Sequence, residues 1–251
     1  MIQLPDPRFP PLITGHSVAP AEPAFAVACK RAASGELGAA DLVWNQSEDC
    51  VELALILEPE VALVGTREIF LLAATALADS LGALMPPMTA VLLRWPSTIL
   101  INAARAGSLQ FAASTVDDAE IPDWIVIGVT LNLQRPPANA EADVEPGTTS
   151  LFDEGGGDLD RNKVLESFAA HMLTWIHAWQ EEGFAAAHDQ LLGRIEGHEK
   201  PAAISARAGA TITGRVLAVT DDMYLLVRGE SDGVVSALSL AAALQDHNNA
   251  S

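Results

Sequence analysis

The chain has 251 residues and a formal net charge of -19, which comes from 33 acidic and 14 basic residues. This length fits one large domain or a large domain with a small appendage, and a hydrophobic content of 49% is enough to bury a core. The excess of acidic residues argues against a nucleic-acid partner and against binding to an anionic membrane surface.

Residues 1–12, the apolar segments and the cysteines do not suggest export or a membrane. A signal peptide has a basic stretch followed by an apolar one, and residues 1–12 have no such pattern. The most apolar window, residues 69–85, is short for a membrane span and contains Asp79. Two cysteines, Cys29 and Cys50, form no disulfide framework. We therefore expect a cytoplasmic protein with no membrane segment.

The first third of the chain predicts two helices around a β-hairpin. Pro23 is typical of the first turn of a helix, which should end near Gly35. Apolar runs at residues 41–44 and 51–57, separated by a polar turn, predict the hairpin. Thr66 is a candidate cap for a second helix, which is apolar nearly all round and should end before Pro86.

The central segment, residues 91–111, predicts three strands. Trp95, Pro96 and Ser97 interrupt the first apolar run, and proline cannot donate to a sheet ladder, so Pro96 should mark the end of a strand. A turn at residues 102–104 leads to a strand that begins with Arg105 and Gly107. A ligand could approach closely beside the glycine, which has no side chain.

The last part of the chain predicts a further core strand, two helices and a β-rich end. A strand at residues 124–133 precedes an exposed connection at residues 135–157, and Asp160 caps a long helix. After a helix at residues 184–196 the composition changes. Three short β-type runs, at 211–220, 223–228 and 234–240, would be marginally stable alone and should pack on the main domain.

Several of these segments together resemble the catalytic core of the biotin and lipoate protein ligases. That family has a Lys-Trp-Pro-Asn-Asp strand start, a lysine followed by Ala-Gly, and an Ile-Gly-x-Gly-x-Asn strand. The corresponding residues here are Arg94-Trp95-Pro96, Arg105-Ala106-Gly107, and Gly128 with Asn132. The resemblance implies an α+β fold of the class II synthetase type: a mixed central β-sheet flanked by helices over residues 1–199, and a small SH3-like β domain over residues 200–251.

The resemblance also implies an activity and a site. The family activates biotin, lipoate or a related carboxylic acid with ATP and magnesium, and passes the acyl group from its adenylate to a lysine of a carrier-protein domain. Arg105 stands at the position of the catalytic lysine. The residues at substrate-binding positions are Trp95, Pro96, Ser97, Thr98, Gly107, Gly128 and Asn132. The six histidines have no metal-ligand spacing, so no protein metal site is predicted.

The sequence departs from the family pattern at the residues that matter for adenylation. The family has a loop rich in glycine and arginine between the strands of the hairpin, whereas here that connection holds Glu48 and Asp49. Arginine replaces lysine at position 105, and it keeps the charge but differs in reach. Ser97 and Thr98 replace an Asn-Asp pair, which weakens a magnesium site.

Three functions remain open on the sequence alone. The first is an ATP-dependent ligase. The second is a non-catalytic descendant that binds a small acid, a nucleotide or a carrier domain in the retained pocket. The third is an acyltransferase with Cys29 or Cys50 as nucleophile. This function is disfavoured because the chain has no lysine at the required strand. Pyrophosphate exchange that depends on an acid distinguishes the first function from the second.

Overall fold

A computed structural model describes residues 5–134, 147–206 and 210–250, the last four of them by backbone alone. The larger part of the chain is built around a seven-stranded sheet with four helices. Its elements are β1 (Thr14–Val18), α1 (Ala24–Ala33), β2 (Asp41–Asn45), β3 (Cys50–Leu57), α2 (Leu63–Leu84), β4 (Val91–Arg94), β5 (Thr98–Ile101), β6 (Ala104–Ala113), β7 (Ile125–Asn132), α3 (Arg161–Glu182) and α4 (Ala185–Arg194).

The strands of the large sheet lie in the order β1-β2-β3-β7-β6-β5-β4. Only β1 and β2 are parallel, and every other neighbouring pair is antiparallel. The sheet is therefore mixed, as predicted. Its order places β7 between β3 and β6, although β7 follows β6 along the chain and lies almost seventy residues after β3.

The two faces of this sheet pack differently. Leu53 and Leu55 point to the face covered by α2, α3 and α4, where they join the main hydrophobic core. Ala54 and Ile56 alternate with them and pack against α1 on the opposite face. Since α1 has ten residues and α2 has 22, the α1 face is only partly covered by helix. That leaves room on the α1 face for a site.

A second, four-stranded antiparallel sheet follows near the carboxyl end, and a helix follows its last strand. The elements are β8 (Ala202–Ser205), β9 (Thr211–Val219), β10 (Tyr224–Gly229), β11 (Val235–Ser239) and α5 (Leu240–Ala250). Side chains of this sheet, such as Val216 and Leu225, belong to the same hydrophobic core cluster as the large domain. The small sheet thus packs on the main domain as expected, while its SH3-like character and the boundary at residue 200 stay predictions.

The structure confirms several local predictions. The hairpin of β2 and β3, the end of α1 near Gly35, and the cap that Asp160 gives α3 all appear, the last through a 2.9 Å hydrogen bond from the Lys163 N–H. Asn102 and Ala103 make the turn between β5 and β6 with φ of 49° and 71°. The peptide bond between Trp95 and Pro96 is cis and lies between β4 and β5.

One prediction is wrong, and a second is wrong for part of its described range. Thr66 does not cap α2, because the helix begins at Leu63 and the Thr66 hydroxyl donates to the Leu63 carbonyl within the first turn. The expected exposed connection at residues 135–157 is only partly open to test, because residues 135–146 lie outside the described residues. Beyond them, Leu151 and Gly156 are buried against the main domain. Within the described ranges, no helix is both long and apolar enough to cross a bilayer.

Candidate functional site

A row of polar side chains crosses the α1 face of the large sheet. The register pairs Glu52 with Thr130, Thr130 with Ser108, and Ser108 with Thr98. Residues that are paired directly across neighbouring strands point to the same face, so these four side chains lie side by side. All four are half-buried. This polar row (Glu52, Thr130, Ser108 and Thr98) is the candidate functional surface.

Glu52 is the charged member of the polar row, and it is tied to helix α1. Its Oε1 accepts a 2.7 Å hydrogen bond from the Ala24 N–H, at the start of the helix. Burial raises the pKa of Glu52, while hydrogen bonds from the Ala24 and Phe25 N–H groups lower it. Since the side chain of Pro23 makes no cap, Glu52 takes the role of a helix cap from a strand 28 residues away. The polar row therefore carries a carboxylate held at a helix amino terminus.

Gly128 accommodates the ring of Phe25, a residue of α1. A Cβ placed on Gly128 would lie 2.6 Å from Phe25 Cδ2 and 3.3 Å from the Cβ of Gln110, so neither side chain leaves room for one. The same holds at Gly107, where a Cβ would lie 2.0 Å from the Thr130 carbonyl oxygen. Both glycines are thus required by packing, and their predicted contact with a ligand stays a prediction.

Arg105 and Asn132, the cation and the amide predicted for the site, hold the same segment of the chain. The Arg105 N–H donates to the Gly147 carbonyl and its own carbonyl accepts from the Thr149 N–H, both at 2.8 Å. Asn132 Nδ2 donates to the Thr149 carbonyl at 3.0 Å. Arg105 is paired with Leu100, two residues from Thr98, and Asn132 lies two residues from Thr130. Both therefore share the face of the polar row, and Arg105 is exposed.

The predicted residues of the Trp-Pro turn lie apart from this segment. Trp95 is 3% exposed and joins the main hydrophobic core, and Ser97 is fully buried. The indole nitrogen of Trp95 and the hydroxyl of Ser97 have no hydrogen-bond partner in the described part of the chain. With Pro96 and Thr98 they line a cavity of about 490 Å³ between this turn and the small sheet. Thr98 is the residue that the cavity shares with the polar row.

The connection between β2 and β3 is the place where the family has its glycine- and arginine-rich loop. Here it consists of residues 46–49 and contains neither residue type. Asn45, which precedes it, is buried, and its Nδ2 faces the carbonyl oxygens of Ala19, Pro20 and Glu22 at 3.2, 3.1 and 2.8 Å. The amide thus holds the segment before α1, so its N–H groups are used within the protein and have a structural role.

A cation does reach this connection, but from helix α3. The guanidinium of Arg161 stacks on the ring of Trp44 at 4.7 Å from its centroid and donates to the Ser47 carbonyl at 3.0 Å. Burial lowers the pKa of Arg161, and the nearby carboxylates of Asp160 and Glu48 oppose that shift. Sequence reasoning did not find Glu52, Phe25, Asn45 or Arg161. For Glu52 there was a signal, since it is the only charged residue in the apolar run of β3.

The other chemistries considered receive little support. Burial raises the pKa of Cys29 to about 11, so its thiol would not form a nucleophilic thiolate at neutral pH. Groups of three or more histidines, cysteines and acids able to hold a metal ion are absent from the described residues. The resemblance places the nucleotide loop at the connection between β2 and β3, and the two acids there, Glu48 and Asp49, do not supply the donors and cations that the phosphates of an ATP–magnesium complex need.

The arrangement of strands and helices and the order of motifs agree with one family of proteins. A model of the biotin/lipoate A/B protein ligase family matches residues 9–193. The chain belongs to this family. This ligase-family member is 28% identical over 179 residues to the biotin–acetyl-CoA-carboxylase ligase of Paracoccus denitrificans. The match covers 70% of this chain and 72% of that protein. It is 27% identical over 125 residues to a bifunctional ligase/repressor of Bacillus subtilis, across 37% of that protein.

Solved structures agree with this assignment. A biotin protein ligase-like protein of unknown function from a Silicibacter species is 33% identical, with a TM-score of 0.83, and the match covers 95% of this chain and 99% of that one. Biotin protein ligase from Aquifex aeolicus in complex with biotin and ATP has a TM-score of 0.66 at 13% identity, over 93% of this chain and 97% of that one. The second likeness concerns the fold alone.

Proposed function

We propose that this family member binds a small carboxylic acid along the polar row and does not activate it as an adenylate. The observation that carries the proposal is Glu52, whose carboxylate lies in the polar row and is held there by the Ala24 N–H. A carboxylate of the protein itself thus lies on the face that also carries Arg105 and Asn132, the positions that the family resemblance assigns to the site. The acid should instead place its own carboxylate at Arg105, the exposed cation on the same face.

Electrostatic repulsion at Glu52 and attraction at Arg105 both favour a ligand with one carboxylate over a nucleotide. Two like charges 4 Å apart repel by about 1 kcal/mol in water and by about 4 kcal/mol near a protein surface. A nucleotide bound over Glu52 would bring several negative charges beside it, and Glu48 and Asp49 on the neighbouring turn add two more. A ligand with one carboxylate directed to Arg105, by contrast, can use the hydroxyls of Thr130, Ser108 and Thr98 for its polar groups.

The alternative is an ATP-dependent ligase that transfers biotin, lipoate or a related acid to a lysine of a carrier domain. Two observations favour it: Arg105 and Asn132 share the face of the polar row, and the Paracoccus relative is named a ligase for acetyl-CoA carboxylase. An arginine can bind a carboxylate or phosphate by two parallel hydrogen bonds, so anion binding at this position would survive the loss of the lysine.

One set of measurements tests both functions. The chain is incubated with ATP, magnesium, labelled pyrophosphate and one of biotin, lipoate or octanoate, and thermal unfolding is followed with the same acids. We expect at least one acid to raise the unfolding temperature, without any exchange of pyrophosphate that depends on it. Arg105→Ala should abolish the thermal shift. Arg228→Ala, which changes an exposed arginine of the small sheet, should leave it intact.

Three results would contradict the proposal or one of its parts. Pyrophosphate exchange that rises with one of the acids would show adenylation and would refute the non-catalytic proposal. A thermal shift of equal size in Arg105→Ala and in the unchanged chain would refute the assignment of Arg105 as the carboxylate site. If no acid shifts the unfolding temperature, the polar row does not bind acids of this class.

A further inference from the structure

A second candidate site is the cavity of about 490 Å³ where the large domain meets the small sheet. The turn between β4 and β5 forms one wall, and β10, β11 and α5 form the other. The size falls within the range of roughly 300–1,000 Å³ that is usual for small-molecule sites. Its lining is rich in hydroxyls, which are contributed by Ser97, Thr98, Ser205, Tyr224 and Ser239. We call it the junction cavity.

The charge of the junction cavity is set by one carboxylate. Arg94 lies on its wall, but the guanidinium donates to both carboxylate oxygens of Glu196, at 2.6 and 2.9 Å, and is neutralised there. Asp246 lies on the opposite wall, in α5. It has no ion-pair partner among the described side chains. A bound cation would therefore gain from Asp246, and a bound anion would be repelled by it.

The hydrogen-bonding capacity of the wall is not used up by the protein. Ser97 is fully buried, and its hydroxyl has no hydrogen-bond partner in the described part of the chain. Buried hydroxyls are rarely left in this state. Ser97 lines the cavity, so a rotation of its side chain toward the cavity would let a bound group satisfy the hydroxyl. Pro96, Leu238 and Ala243 supply apolar surface between the hydroxyls. The combination fits a compact ligand with several hydroxyl groups on an apolar ring.

We propose that the junction cavity binds a small polyhydroxylated amine, with its ammonium group at Asp246 and its hydroxyls on the serine, threonine and tyrosine residues of the wall. Hydroxyl groups both donate and accept, so the wall can match a ligand with alternating hydroxyls. The ammonium supplies the charge that Asp246 lacks, through a charge-assisted hydrogen bond. This site takes a cation, whereas the polar row takes an acid, and the two share only Thr98.

Three sugars of one ring skeleton test the charge preference. The whole chain is titrated in a calorimeter with glucosamine, glucose and glucuronate, which are cationic, neutral and anionic at neutral pH. Because Asp246 is exposed to solvent, we expect glucosamine to bind about fivefold more tightly than glucose, and glucuronate to bind more weakly than either sugar. Asp246→Asn should reduce the affinity for glucosamine about fivefold and leave the affinity for glucose within twofold.

A matched variant and a second wall residue complete the test. Glu230→Gln removes one negative charge from an exposed turn position directly after β10 and should not change the affinity for glucosamine. Ser97→Ala should weaken the binding of glucosamine and of glucose by similar factors. The proposal is overturned if glucuronate binds as tightly as glucosamine, if Asp246→Asn leaves the glucosamine affinity unchanged, or if none of the three sugars binds at millimolar concentration.

Discussion

Replacement of Gly128 by alanine tests whether this glycine serves the ring of Phe25. The new Cβ would lie 2.6 Å from Phe25 Cδ2, whereas ordinary contact begins at 3.4 Å, so the ring must retreat by about 0.8 Å. Gln110 limits the movement of the Cβ on the other side, at 3.3 Å. Overpacking of this kind costs about 1–3 kcal/mol of unfolding free energy. We therefore expect Gly128→Ala to destabilise the protein by that amount.

The assay is urea unfolding of a double-mutant cycle with Phe25→Ala. Truncation of the ring removes the clash, so Gly128→Ala should cost far less in the Phe25→Ala background, with a coupling energy of about 1–3 kcal/mol. Gly82→Ala is the matched control. Gly82 is exposed within α2, and a Cβ there meets no atom within 4 Å, so alanine should stabilise the helix by about 1 kcal/mol.

The result that would refute this reasoning is equal destabilisation by Gly128→Ala in both backgrounds. The absence of a side chain at Gly128 would then not serve to make room for the Phe25 ring. Loss of acid binding in Gly128→Ala without any loss of stability would instead mean that the glycine makes room for a ligand, as the family resemblance implies.

Two further predictions concern pH. Burial raises the pKa of Glu52 above 4.5, so its contribution to stability is present below that pH and is lost as the pH rises through the folded-state pKa. Glu52→Gln keeps an acceptor for the Ala24 N–H without the charge. The free energy of unfolding of Glu52→Gln, measured in urea relative to that of the unchanged chain, should therefore increase as the pH rises from 4 to 7. A difference between the two proteins that does not change with pH would contradict this. Hydrogen bonds to Asp189 and Val219 raise the pKa of His188 above 6.5, against some loss from burial. The stability that His188 adds is then present below pH 6.5 and lost at higher pH, so His188→Gln should cost more at pH 5.5 than at pH 8.5, and equal costs would refute the link.

Local sequence patterns were enough for much of the fold. The end of β4 at Arg94 follows from Pro96, because a proline cannot donate to the ladder. The cap at Asp160 and the hairpin of β2 and β3 depend only on residues a few positions apart. The missed elements, β1, β8 and α5, are short or lie at the ends of the chain, where tertiary packing decides and periodicity is weak.

The candidate site was found only in part for the same reason. Arg105 and Asn132 were identified by the order of family motifs, and the strand register places them on one face. The motif order gave no indication that Trp95 and Ser97 would line a cavity with Asp246, because that cavity requires the small sheet to pack against the turn. Nor did it indicate that both predicted groups would hold the segment at Gly147 and Thr149.

By itself the sequence determined the family, the class of fold and the strand ends, because these depend on motifs and on hydrophobic patterns between near neighbours. Only the tertiary structure decided what occupies the sheet face. Glu52 reaches the start of α1 across 28 residues, and Phe25 reaches Gly128 across more than a hundred. Such contacts exist only once β3 and β7 lie side by side beneath α1, and no local pattern encodes that neighbourhood.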